Sequence, residues 1–151
     1  MTLRLDGFTP ASPISPLVVA GVCAAGKTTL THNLELRGIS ARPVAQEHSR
    51  VKGLYRRAGG MVVLLVASWS TVHRRRRLAW NPAFYREEWE RLMGARRDAA
   101  YVLHTDFLTP DEVADRVAGW FDHQFGFSQL WTEHPEWGSG DRAAVRARFR
   151  P

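Results

Sequence analysis

Apolar residues cluster along this chain in two periods, and the alternation between them predicts the elements. Leu17-Val18-Val19-Ala20 is a short apolar run that reads as a buried strand. Leu30 and Leu34 then fall at helical spacing, and the helix they mark ends near Arg37 with Gly38 as a left-handed cap. Residues 41 to 46 read as a second strand, which Pro43 places at a sheet edge. Residues 49 to 58 suit a short helix closed by Gly59-Gly60. The unbroken apolar run from Met61 to Ala67 is what a strand buried on both faces requires. Ser68 or Ser70 can cap the helix after it, which Trp80-Asn81-Pro82 ends. Phe84 to Asp98 is amphipathic, with Tyr85, Trp89, Leu92 and Met93 on one stripe. Residues 101 to 105 read as a fourth strand ending at Asp106. Thr109-Pro110-Asp111-Glu112 is a capping box with proline at the first helical position, opening a helix with Val113, Val117, Trp120 and Phe121 at its spacing.

Strands alternating with helices imply an α/β fold, a parallel sheet of about four strands with helices on both faces. Right-handed crossovers prune the topology, and the order expected is 2-1-3-4. Residues 1 to 15 form an extended lead-in, with Leu3 to Leu5 able to pair on a sheet edge. Residues 16 to 125 form the domain, and residues 126 to 151 a tail, packed or partly disordered. Around Trp131 and Trp137 the tail shows no clear period, while residues 141 to 150 suit a basic terminal helix.

Between the first strand and first helix lies Gly21-Val22-Cys23-Ala24-Ala25-Gly26-Lys27-Thr28. It meets every fixed position of the G-x-x-x-x-G-K-[ST] pattern in the strand–loop–helix setting that pattern needs. Gly21 and Gly26 permit backbone angles that turn N–H groups inward around an anion. The helix opening near Lys27 adds unpaired N–H groups and the positive end of its dipole. In this reading Gly21, Ala24, Ala25, Gly26, Lys27, Thr28 and Thr29 hold a nucleotide, Lys27 reaches its β- and γ-phosphates, and the Thr28 hydroxyl ligates Mg²⁺. The competing reading is a chance match in a Gly/Ala-rich turn.

Composition changes the picture little. The 151 residues are 44% hydrophobic and carry a formal net charge of +6. Only Lys27 and Lys52 are lysines, and the excess of arginine reflects overall composition as readily as a nucleic-acid surface. A nucleotide site therefore ranks above a nucleic-acid face. The one cysteine, Cys23, excludes an internal disulfide and fits a cytoplasmic location. Its place near a helix N-terminus could lower its pKa for a redox role, against the plainer reading of a small filler. No stretch approaches a membrane span. The six histidines show no metal-ligand spacing.

Three segments resemble the small P-loop kinases of the nucleotide, nucleoside, shikimate and adenylyl-sulfate kinase group. They are the phosphate loop from Val18 to Leu30, VVLLVASWSTVHRRRR from Val62 to Arg77, and AYVLHTDFLTPDEVADRV from Ala100 to Val117. The resemblance implies a three-layer P-loop NTPase fold and an ATP- and Mg²⁺-dependent phosphotransferase acting on a small hydroxyl- or phosphate-bearing acceptor. It implies lid arginines in the run Arg74 to Arg77. Arg74 and Arg77 share a helix face and are favoured, against a solvated face. It places Asp106 near the base. The strand 61–67 ends in Ala67-Ser68 where such kinases carry an aspartate, a departure that leaves Glu47 as catalytic base, metal partner or both, against an exposed strand-end residue. His48 is a further acceptor-pocket candidate. The departure also keeps open a non-catalytic nucleotide-binding module, and the net charge a polynucleotide or RNA-associated kinase.

Overall fold

The computed structural model describes Leu5, residues 7 to 76 and residues 81 to 151. Leu3 and Arg77 lie outside the described residues. Four strands form one parallel sheet: β1 (Leu17–Gly21), β2 (Ala41–Pro43), β3 (Met61–Val66) and β4 (Tyr101–His104), in the order β2-β1-β3-β4. Seven helices accompany them among the described residues: α1 (Lys27–Leu36), α2 (Leu54–Arg57), α3 (Trp69–Arg76), α4 (Pro82–Asp98), α5 (Pro110–Phe125), α6 (Phe127–Glu133) and α7 (Ser139–Ala147). Both the parallel sheet and the predicted strand order are present. Leaving β1 the chain turns to one side of the sheet, and leaving β3 to the other. Right-handed crossovers therefore put α1 and α4 over opposite faces. The order reverses between β1 and β3, so a crevice opens at their carboxyl ends.

The apolar runs behave as their composition demands. Every residue of β1 is buried, as are Val62 to Leu65 in β3. The Thr109 hydroxyl accepts from the Glu112 N–H (3.2 Å), and the Glu112 carboxylate accepts from the Thr109 N–H (3.0 Å), closing the expected capping box. Gly38 has φ +80°, as its capping place requires.

Three boundaries differ from the sequence reading. β2 stops at Pro43, and the chain enters a 3₁₀ turn over Gln46–His48. Glu47 thus sits in a turn beyond the strand, not on its tip. The helix expected over 49–58 is the single turn Leu54–Arg57, because Gly53 adopts φ +71° at its N-cap and interrupts the path. On α4, Met93 is 65% exposed, while Glu88, Leu92 and Ala95 are buried. The inward stripe is rotated from the apolar one and takes a carboxylate with it.

Residues 126 to 151 carry α6 and α7, and Phe127, Trp131, Trp137 and Val145 join the core. A buried pair ties them down: Arg146 Nε and Nη2 donate to Asp122 at 2.7 and 2.8 Å, and Trp131 Nε1 donates to the same carboxylate at 2.8 Å. Arg146 Nη1 also donates to the Arg37 carbonyl, joining α7 to the end of α1. No helix among the described residues is long and apolar enough to cross a membrane.

Candidate functional site

The loop between β1 and α1 stands at the sheet's reversal point and opens on a cavity of about 670 Å³. Gly21 is fixed by sheet packing: a Cβ there would lie 2.6 Å from the Leu65 carbonyl oxygen on β3. Ala24 and Gly26 both take left-handed angles, φ +63° and +102°. For Ala24 that conformation carries steric cost, of the kind found where a loop is shaped for a ligand. Residues 23 to 30 all line the cavity, so Ala24, Ala25, Gly26, Lys27, Thr28 and Thr29 come together as the motif requires.

Lys27 is folded onto its own loop. Its Nζ donates to the carbonyls of Gly21 (3.0 Å) and Val22 (3.2 Å). It also lies 3.1 Å from Glu47 Oε2, and the two side chains are 12% and 2% exposed. That contact does not meet hydrogen-bond geometry, and Glu47 Oε2 has no hydrogen-bond partner among the described residues. Glu47 is therefore a buried carboxylate held by charge. The turn that carries it is pinned by Gln46, which donates to the Val51 carbonyl and accepts from the Tyr55 N–H. Arg91 Nη1 donates to the Glu47 carbonyl from α4. His48 lies beside it, Nε2 to Glu47 Oε1 3.7 Å, and faces the cavity.

A second buried carboxylate, Glu88, escaped the sequence reading. It is fully buried on α4, and its Oε1 accepts the Cys23 N–H at 3.0 Å, while Oε2 has no hydrogen-bond partner among the described residues. Burial raises its pKa, and the nearby Glu47 charge adds to the rise. The only sequence signal was a Glu in phase with Leu92 and Ala95, on the side that the aromatic stripe seemed to leave to solvent.

Cys23 corrects an expectation. Its thiol pKa is raised, not lowered, because burial outweighs the Arg76 charge beside it. Without further help it is a protonated thiol, unsuited to act as a ready nucleophile.

The arginine run is also phased differently. Arg74 is exposed and does not line the cavity, whereas Arg75 and Arg76 do. Arg75 donates to the Ala24 carbonyl (3.0 Å) and the Thr105 carbonyl (3.2 Å), bridging the loop to the end of β4. Asp106 is not in the cavity wall. Its Oδ1 accepts both the Ser68 N–H and the Ser68 hydroxyl at 2.8 Å, joining the ends of β4 and β3. Burial opposes its charge, but hydrogen bonds from Thr71 and Ser68 prevail and lower its pKa. Beside it Leu108, Pro110 and Val113 form an apolar stretch of the wall.

The site offers a loop with two left-handed residues, a largely covered lysine, two long arginines and the buried Glu47 carboxylate around one cavity, with a second buried carboxylate, Glu88, behind the loop. That set can hold an anion and place a base near it. No protein-family model matches the chain, and no curated protein matches it.

Proposed function

We propose that the loop after β1 binds the phosphates of a nucleoside triphosphate, and that the chain transfers the terminal phosphoryl group to a small acceptor. The observation that carries this reading is Lys27. Its ammonium is held at the cavity wall by two loop carbonyls and Glu47, within a loop whose left-handed residues shape it for an anion. The helix α1 begins at Lys27 and directs unpaired N–H groups at the same space.

In the transfer, the acceptor oxygen forms a bond to the γ-phosphorus as the bond to the β–γ bridging oxygen breaks, and the nucleoside diphosphate leaves. The acceptor's proton passes to Glu47. Triphosphate entering the loop competes for Lys27 and so frees that carboxylate. Arg75 and Arg76 are long enough to turn toward the transferring oxygens, where charge stabilisation does most of the work. Mg²⁺ would be held by the Thr28 hydroxyl and phosphate oxygens, neutralising charge on the phosphates. Thr28 suits this, since it lines the cavity. Glu47 does not while Lys27 engages it. Leu108, Pro110 and Val113 supply an apolar seat for the base in place of Asp106.

Calorimetry with MgATP and MgGTP tests the binding step. One nucleotide per wild-type chain is expected, with strong weakening in a folded Lys27→Ala variant. A folded wild type that binds neither nucleotide overturns the proposal. A second reading, a binding module without turnover, draws support from Ala67-Ser68 following β3 where an acid would be expected. Labelled ATP with a panel of acceptors separates the two. For a kinase, Glu47→Gln should slow transfer by about 10²-fold or more, the size of a positioned acid–base group. Binding without transfer or hydrolysis favours the module.

A further inference from the structure

Beneath the phosphate loop, on the side toward α4, three metal-ligating side chains converge from three separate elements. Cys23 comes from the loop, His48 from the turn after β2, and Glu88 from the middle of α4. One ligand atom from each lies within 4.8 Å of the other two. We propose that Cys23, His48 and Glu88 bind a divalent transition metal of the zinc class, with a further coordination position open to the cavity.

The unpartnered oxygen of Glu88 is the independent sign. Buried polar atoms in folded proteins are almost always satisfied. Here Oε1 is fixed by the Cys23 N–H and Oε2 has no hydrogen-bond partner among the described residues, on a residue with no exposure. The fixed oxygen also locks Cys23 and Glu88 together, so a metal finds two of its ligands prepositioned. A dication beside Glu88 would supply the missing partner.

The donor set decides the metal. A sulfur, an imidazole nitrogen and a carboxylate oxygen suit zinc or cobalt, and disfavour Mg²⁺, which prefers oxygen throughout. Metal–sulfur and metal–nitrogen bonds of about 2.3 and 2.0 Å bring tetrahedral ligands to roughly 3.5 Å from one another. Closing from 4.8 Å needs a movement of about an ångström. His48 can make it, because its side chain is 44% exposed while the other two residues are buried. Glu47, 3.7 Å from the His48 ring, is placed as the outer carboxylate that orients a metal-bound imidazole. Cys23 and His48 both line the cavity, so the open position points there. On binding, the Cys23 S–H bond is replaced by a sulfur–metal bond and the proton leaves to solvent.

This site does not rest on nucleotide binding, and it is tested without nucleotide. The full chain, stripped of metal with a chelator, is titrated with Co²⁺ and followed by absorbance. One cobalt per chain is expected, with a thiolate-to-cobalt charge-transfer band in the near ultraviolet that added Zn²⁺ abolishes and added Mg²⁺ leaves alone. Cys23→Ser should remove the band. His48→Asn and Glu88→Gln should each weaken binding by about 10-fold or more, the loss that even outer-sphere partners cause. His73→Asn, an exposed histidine on α3, should change nothing. Should Glu88→Gln fail to fold, the exposed His48 keeps the test open. The proposal is overturned if the wild type gives no stoichiometric band, or if His48→Asn and His73→Asn behave alike.

Discussion

Lys27 and Glu47 form a largely covered ion pair in the cavity wall, and breaking it from either side should give unequal results. Coulomb attraction at 3.1 Å amounts to about 5 kcal/mol at an effective dielectric of ~20, before desolvation is subtracted. Lys27→Ala strands the Glu47 charge, 2% exposed, with only the His48 ring beside it at 3.7 Å. Stranding a charge from a buried pair costs about 3–5 kcal/mol, and the lower end applies here because the contact lacks hydrogen-bond geometry. For a chain of this length that is a fall in Tm of roughly 10 °C. Glu47→Gln is milder, since the Lys27 ammonium keeps the Gly21 and Val22 carbonyls. A loss of about 1–3 kcal/mol is expected. The double variant removes both charges and should cost less than the two single changes added, by about 2 kcal/mol. Urea unfolding of the four proteins, without nucleotide, measures the cycle. Additivity within about 0.5 kcal/mol would show that the two groups do not interact, and would remove the electrostatic basis of the site described above.

Three further outcomes are expected. Arg75→Ala should weaken nucleotide binding about 10-fold in calorimetry and cost about 1 kcal/mol of stability, since its bonds to the Ala24 and Thr105 carbonyls are lost, whereas Arg74→Ala should change neither quantity, because of the two only Arg75 lines the cavity. Gly38→Ala should lower the urea midpoint far more than Gly59→Ala. Both have positive φ, worth about 1–2 kcal/mol each, but a Cβ on Gly38 would also meet the Ala143 carbonyl oxygen of α7 at 2.1 Å, whereas Gly59 has open space. Asp98 has its pKa held well below the usual carboxylate range by the hydrogen bond from Tyr55, then by Arg56 and Arg97. A lowered pKa stabilises the fold above the unfolded-state value of about 4, and the benefit fades as pH falls below it. The Tm gap between wild type and Asp98→Asn should therefore narrow on acidification from about pH 6 to about pH 3; a constant gap would exclude the linkage.

The sheet was legible because its two central strands are buried on both faces and must be written in apolar residues. Met61 to Val66 admits no other element of that length, and the motif after Leu17–Gly21 fixed where the first helix begins. The Thr109 capping box was legible for the same kind of reason, since a Thr and a Glu at that spacing satisfy one another locally. Elements that depend on distant packing were not. A four-arginine run has no apolar phase, so nothing in it shows that Arg75 rather than Arg74 turns inward. Residues 126 to 151 look irregular because their burial is shared between aromatic rings and one charged pair, Asp122 with Arg146, which no periodicity scan counts as core.

Glu88 was hidden by the same logic, and its concealment explains the site. A pattern read from apolar residues assigns every carboxylate on an amphipathic helix to solvent, yet α4 turns Glu88 inward with Leu92 and Ala95. The helix thereby gives up apolar burial at one position to place an acceptor under the Cys23 N–H. That bond fixes the Val22–Cys23 peptide, one residue ahead of Ala24, which takes the costly left-handed conformation. A carboxylate anchored from α4 is a reason for the strain to persist without a bound anion, since the loop is gripped from below before anything arrives above. Glu47 acts through Lys27 rather than the backbone. The two acids thus control different parts of one loop, and they can be separated: Glu88→Gln should disturb the loop's backbone and Cys23, Glu47→Gln the position of the Lys27 ammonium. Amide exchange at Cys23 and Ala24 reads the first and is indifferent to the second. Faster exchange in Glu88→Gln with unchanged exchange in Glu47→Gln is the expected result, and equal exchange in both variants would refute the division.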